Sequence, residues 1–257
     1  MAGALPPPGP PVSSVGEAIG RMQAIGAALP ASDGVACFNR MYLAVTQDVQ
    51  ARIAQGYFDD PSFLGALDVE FANLYFDAVD TLATAGPVPA AWEPLVAARS
   101  RPGIYPIQFA LAGMNAHINH DLPLALVRTC TQLGTAPDDG THHADYQKVD
   151  GLLHAAEQSV RESFESGAAL RADRDTRLVL DLVGNWSIDS ARDVAWDTAE
   201  ALWRCRDDPT VEDLLMDGVA RTVAMASRCL LVEPDPDVPG RGLVERVWRS
   251  LEVLLHG

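Results

Sequence analysis

Two imidazoles, two amides and a carboxylate occur within seven residues in the segment Asn115-Ala116-His117-Ile118-Asn119-His120-Asp121. The flanks, Ile107 to Ala112 before it and Leu124 to Val127 after it, are almost wholly apolar apart from Gln108. A helix apolar on every side is one that other helices surround, and polar groups buried there are costly unless each has a partner or a task. His117 and Asp121 stand four apart, on one face of a helix. That spacing suits a carboxylate orienting an imidazole for proton transfer, with His117 as acid or base, or two ligands to one metal ion. Asn115, Asn119 and His120 are the further catalytic candidates, the amides as donors to charge developing on oxygen. Pro123 deprives the Asn119 carbonyl of its helical partner and bends the helix, and Gly113 leaves room one turn before His117. Met114 and Tyr42 are candidates to line a substrate pocket beside this cluster.

Other polar groupings are weaker. Arg192 and Trp196, one turn apart, are placed to stack and are read as substrate-binding candidates. His142, His143 and Asp145 read as a surface helix start. Asp150, His154, Glu157 and Arg161 share a helical face, as do Glu70, Asn73 and Asp77; both read as solvated faces laced with ion pairs. No Walker loop, GxGxxG or GxSxG motif is present.

The elements that must position these residues are helices. Val15, Ile19, Met22 and Ile25 fall on one face after the capping-box pattern Ser14-Val15-Gly16-Glu17. Phe38, Tyr42, Val45, Val49 and Ile53 repeat the pattern after Asp33. Asp60-Pro61 and Asp208-Pro209 pair a capping residue with proline at the first helical position. Short helical or long amphipathic segments are further expected around Trp92 and Leu95, from Ile107 to Leu133, from Tyr146 to Phe164, from Asp173 to Leu182, from Ala191 to Leu202, and from Leu243 to Leu255. No stretch alternates like a strand. The chain is therefore expected to be all-α, a single compact bundle of about nine helices spanning residues 13–257. Residues 1–12 read as a proline-rich tail without order.

Composition bounds the partners. Hydrophobic residues make up 48% and charged residues 21% of 257, an ordinary globular balance. Acidic residues outnumber basic ones 35 to 19, a net charge of −16, which repels nucleic acid and anionic membrane surfaces. No apolar run reaches membrane-spanning length and no signal peptide is recognisable. Cys37, Cys130, Cys205 and Cys229 form no CxxC pair and read as buried reduced thiols. The expectation is a cytoplasmic protein whose partner is a small molecule; an oligomer is compatible with the composition.

With Phe38-Asn39-Arg40-Met41-Tyr42-Leu43 and Ser190 to Trp196, the Asn-Ala-His-Ile-Asn-x-Asp-Leu segment resembles a domain family of unknown function from actinobacteria, over about Val35 to Trp203. The resemblance implies an α-helical fold and supplies no reaction. His117 and Asp121 are also similar to the His-x-x-x-Asp zinc pair of helical zinc-dependent phospholipases C and single-strand nucleases. That likeness implies a divalent metal such as zinc, held by His117 and Asp121 with His143, His154 or Asp150. Three functions follow from these readings. The favoured one is a cofactor-free enzyme performing His/Asp acid–base chemistry on a small, largely apolar metabolite, such as a ketal-forming or dehydrative cyclase of specialised metabolism. The others are a metal-dependent hydrolase and a non-catalytic binding or interaction module.

Overall fold

The computed structural model describes residues 4–153 and 187–233. Among them the architecture is all-helical, as the periodicity predicts. Helices α1 (Val15–Ala28), α2 (Gly34–Ala54), α3 (Pro61–Ala83) and the short α4 (Glu93–Ala98) precede α5 (Pro106–Ala116). One π-helical turn (His117–Asp121) then joins α5 to α6 (Leu122–Leu133). The described part of α7 covers residues 142–153, and α8 (Ile188–Cys205) and α9 (Pro209–Leu230) follow. The segments expected to be helical at Asp173–Leu182 and Leu243–Leu255 lie outside the described residues. No described helix is long and apolar enough to cross a membrane.

Local chemistry sets the helix starts. Asp60 accepts the backbone N–H groups of Ser62 and Phe63 with Pro61 at the first helical position, and Asp208 does the same for Thr210 and Val211. Ser14 caps α1 by accepting from Glu17 N–H. The returning glutamate differs from the expected capping box, since Glu17 Oε2 accepts from Ser13, both its N–H at 2.7 Å and its hydroxyl at 2.9 Å. Asp33 caps α2 and also pairs with the buried Arg99 guanidinium at 2.7 Å. This ties the start of α2 to the end of α4.

Helix α5 runs through the centre, with every residue from Ile107 to Ala116 buried. It packs chiefly against α2 and α9, whereas α6, its continuation beyond the π turn, packs against α3 and α8. The buried apolar side chains of the described residues, Ala224 apart, form one contiguous cluster. Gly113 explains the closeness of α2 and α5: a Cβ at this position would lie 2.4 Å from Phe38 Cγ. The room left by Gly113 is thus filled by Phe38.

The proline-rich N-terminal stretch touches the rest of the fold at two apolar residues. Leu5 and Val12 pack on the core. Val12 exchanges two backbone hydrogen bonds with the Asn73 amide, at 2.8 and 3.0 Å. Proline removes donors but does not prevent such side-chain clamping. The thiols are all free; Cys37 and Cys130 are buried, Cys205 and Cys229 half-buried.

The α2–α5 contact generates a prediction. Gly113→Ala forces Phe38 or the helix axes apart, and overpacking of this kind costs about 1–3 kcal/mol. A urea denaturation midpoint unchanged from the wild type would show that the two helices separate freely.

Candidate functional site

The π turn carries the polar cluster into the core. Leu122 N–H bonds to the His117 carbonyl, five residues back, a register that π turns adopt within α-helices. Pro123, next in line, has no N–H to offer Asn119. The widened turn places His117 Nδ1 2.9 Å from Asp121 Oδ2, with both residues 2% exposed. His120 Nδ1 lies 2.7 Å from Asp121 Oδ1. Trp92 Nε1–H donates to Asp121 Oδ2 at 3.0 Å. The carboxylate therefore faces three N–H groups from two elements.

These contacts fix protonation. Burial alone would raise the Asp121 pKa, but the hydrogen bonds from His117 and His120 reverse that and hold it below the usual carboxylate value. For His117, burial is the larger cause and lowers its pKa, with Asp121 opposing it in part. At neutral pH the pair is a carboxylate and a neutral imidazole. Because an ionised carboxylate only accepts, His117 carries its hydrogen on Nδ1, and Nε2 is left with a lone pair. That Nε2 is buried and has no partner among the described residues.

Aromatic side chains surround the imidazole. Phe71 stacks on it, with ring centres 3.5 Å apart and planes 4° from parallel. Tyr42 and Phe38 meet it edge-on at 4.5 and 5.6 Å. Beside it lies a cavity of about 80 Å³ whose walls come from α2, α3, the α5–π–α6 rod, α7 and α8. His117, Met114, Tyr42 and Arg192 line it. So does Asp68, which the sequence reading passed over. The signal was present: Asp68 follows Leu64 by four residues and precedes Phe71 by three, so it sits on the apolar face of α3.

Asp68 is partly exposed as a residue, yet its Oδ2 is out of contact with solvent and without a partner among the described residues. Burial raises its pKa from 3.8 to about 7. The Tyr42 hydroxyl is likewise buried and unpaired. Burial raises its pKa far above 10, helped by the charge of Asp68 and opposed in part by the neighbouring Thr46. Arg192 lends no free cation to these groups, because its guanidinium is bonded to Asp150 and to the Tyr146 carbonyl.

The other sequence-derived candidates lie elsewhere. The Asn115 amide donates to the Val223 carbonyl and to Ser227 Oγ, both at 2.9 Å, and accepts from Asn119 at 3.0 Å. These two amides face a separate groove between α8 and α9 and do not line the cavity. Arg192 stacks on Tyr146 at 3.8 Å, whereas Trp196 stacks on His143 at 4.4 Å and donates to Glu200. Trp196 does not line the cavity. His142 and Asp145, read as surface groups, are buried. His142 stacks on Phe63, and Asp145 accepts the backbone N–H groups of Asp59 and Asp60. No three His, Cys, Asp or Glu side chains converge in metal-binding geometry among the described residues. His143 is committed to Trp196, while His154, Glu157 and Arg161 lie outside the described residues.

The raised Asp68 pKa sets a stability signature. The folded state holds a proton that the unfolded chain releases above 3.8, so the wild type loses stability as pH rises from about 4 through about 7. Asp68→Asn removes this titration. Its melting temperature should gain on that of the wild type between pH 4 and pH 8, and a constant difference would refute the buried-acid assignment.

Comparison with curated proteins and with solved structures finds no match for this chain. A family model does match, over residues 15–233, which contain the π turn, the cavity and Asp68. The chain belongs to that family, described as "Family of unknown function (DUF5995)".

Proposed function

We propose that the protein is an acid–base catalyst that works without a cofactor on a small, largely apolar molecule, with His117 as the base. One observation carries this reading: a buried, neutral imidazole that lines an apolar cavity is held through Nδ1 by Asp121, and its Nε2 has no partner among the described residues. A histidine serving packing alone would have both nitrogens bonded or one in water, because an orphaned buried acceptor costs about 1–3 kcal/mol.

Each neighbour has a definable part. Asp121 selects the tautomer and favours the imidazolium that forms when Nε2 takes a proton. Trp92 and His120 hold Asp121 in place. Phe71, stacked on the ring, fixes the direction of Nε2 and keeps water from its face. Met114 and Tyr42 shape the cavity. At about 80 Å³ the space is smaller than the roughly 150 Å³ that admits benzene. It therefore takes a short molecule or the reactive end of a longer one. Proton abstraction next to an activating group, ring closure and dehydration all suit this set, since each requires proton transfer and exclusion of water.

Nitroethane provides a direct test, because removing its C–H proton needs a base alone. Exchange of that hydrogen in D₂O, followed by proton NMR, should run faster with the wild-type protein than in buffer. The rate should fall as pH drops below 6.5 through the lowered pKa of His117, since only the neutral ring accepts a proton. His117→Ala should remove about 10²-fold or more of the acceleration while remaining folded. Asp121→Asn should reduce both the rate and the stability, the latter by about 1–3 kcal/mol through the unpaired N–H groups of Trp92 and His120. Wild-type exchange by a folded His117→Ala protein would overturn the assignment, as would exchange no faster than in buffer.

A further inference from the structure

Three buried polar atoms, His117 Nε2, Tyr42 Oη and Asp68 Oδ2, lack partners among the described residues and belong to side chains that line one apolar space. Their positions are linked. Phe71, stacked on His117, stands one turn after Asp68 on α3. Tyr42 packs edge-on against the same imidazole and lies close enough to Asp68 for its hydroxyl to respond to that charge. Hydrogen-bonding capacity differs among the three. His117 Nε2 only accepts, whereas the Tyr42 hydroxyl donates, and so does Asp68 in its protonated form.

We propose, resting on the reading of His117 as base, that Asp68 is the second proton-transfer group and that the substrate is an uncharged ketone bearing a hydrogen on the carbon next to its carbonyl. Nε2 takes that hydrogen as a proton, and the C–H electron pair becomes the carbon–carbon double bond of an enol. The carbonyl π pair moves onto oxygen, which takes the proton of the Asp68 carboxyl group. Tyr42 hydrogen-bonds to the same oxygen as charge builds on it. Asp68 is left as carboxylate and His117 as imidazolium; both groups are restored when the imidazolium returns a proton to the α-carbon and the enol O–H proton passes back to Asp68. No other reactant is required. An apolar surrounding that keeps a carboxylic acid protonated near neutral pH suits it to this donor role. Selection against anions follows from the lining: among the described residues, the ionisable groups facing the space are Tyr42 on α2, Asp68 on α3, His117 on the π turn, Tyr146 on α7 and Arg192 on α8. The one cation among them is bonded to Asp150 and the Tyr146 carbonyl.

Butanone, comparable in size to nitroethane, tests the proposal by hydrogen–deuterium exchange at its α-carbons, again by NMR with the full chain. The wild type should exchange butanone faster than buffer does, with a maximum between the titration of His117, which must be neutral, and that of Asp68 near 7. Asp68→Asn should lose about 10²-fold and with it the decline above pH 7, while its melting curve remains cooperative. Pyruvate, an anionic ketone, should exchange no faster than in buffer. Nitroethane exchange without butanone exchange would overturn the ketone assignment and leave His117 standing as base; failure of both would remove the base as well. Butanone exchange at the wild-type rate by Asp68→Asn would overturn the role of Asp68, and accelerated exchange of pyruvate would overturn the charge selection.

Discussion

A carboxylate cannot lie in a protein core uncompensated, and among the described residues Asp121 is compensated by three N–H donors and no guanidinium or ammonium group. The surrounding architecture follows from this. Trp92 must be held at the start of α4, and α4 is held by Arg99 bridging to Asp33 at the start of α2. His117 and His120 must both turn Nδ1 toward one carboxylate from positions three residues apart, and the π turn accommodates them. That turn also changes the register of a nearly continuous rod, so that α5 addresses α2 and α9 while α6 addresses α3 and α8. The cavity forms beside that rod, where α2 meets α3, α7 and α8.

Buried polar groups elsewhere in the core are well paired. Asn39 donates to the Met22 carbonyl and accepts from the Tyr75 hydroxyl. Gln108 donates to the Leu230 and Val232 carbonyls and accepts from Tyr105 N–H. Asn115 is satisfied by α9. Around the cavity this pairing stops, among the described residues, at His117, Tyr42 and Asp68. Among the described residues the Thr129 hydroxyl also lacks a partner, but a single threonine hydroxyl is a milder defect than an ionisable acid or base. A fold that satisfies its distant amides and leaves its acid and base unpaired has given up stability at one place, a pattern expected where activity requires it.

How far the sequence disclosed this depended on whether a feature was local. The all-helical class, the starts at Asp33, Asp60 and Asp208, and the contact of His117 with Asp121 are consequences of spacing along one helix, and spacing is visible in sequence. Pro123 announced an irregularity, though a proline alone does not distinguish a kink from a π turn. The Trp92–Asp121 bond and the clamp of Val12 on Asn73 join residues far apart in the chain, and no periodicity reports them. Asn115 and Asn119 shared the polar segment with His117, but they face α9 and a different groove. Asp68 was legible and overlooked: an acid on the apolar stripe of α3 was as anomalous as the imidazole it accompanies.

The electrostatics of the cavity favour a proton shuttle over a fixed charge. Moving a proton from substrate carbon to His117, and another from Asp68 to substrate oxygen, leaves one positive and one negative group in the same low-dielectric space. A single buried charge there would meet the full cost of desolvation, whereas an opposed pair offsets much of it through mutual attraction. Asp121, already ionised and hydrogen-bonded to Nδ1, further favours the positive member. The negative member keeps the Tyr42 hydroxyl as its neighbour and the partly exposed edge of α3 on its other side. Bringing a base from the π turn and an acid from α3 to one enclosed space therefore suits the energetics of the ion pair the reaction would create.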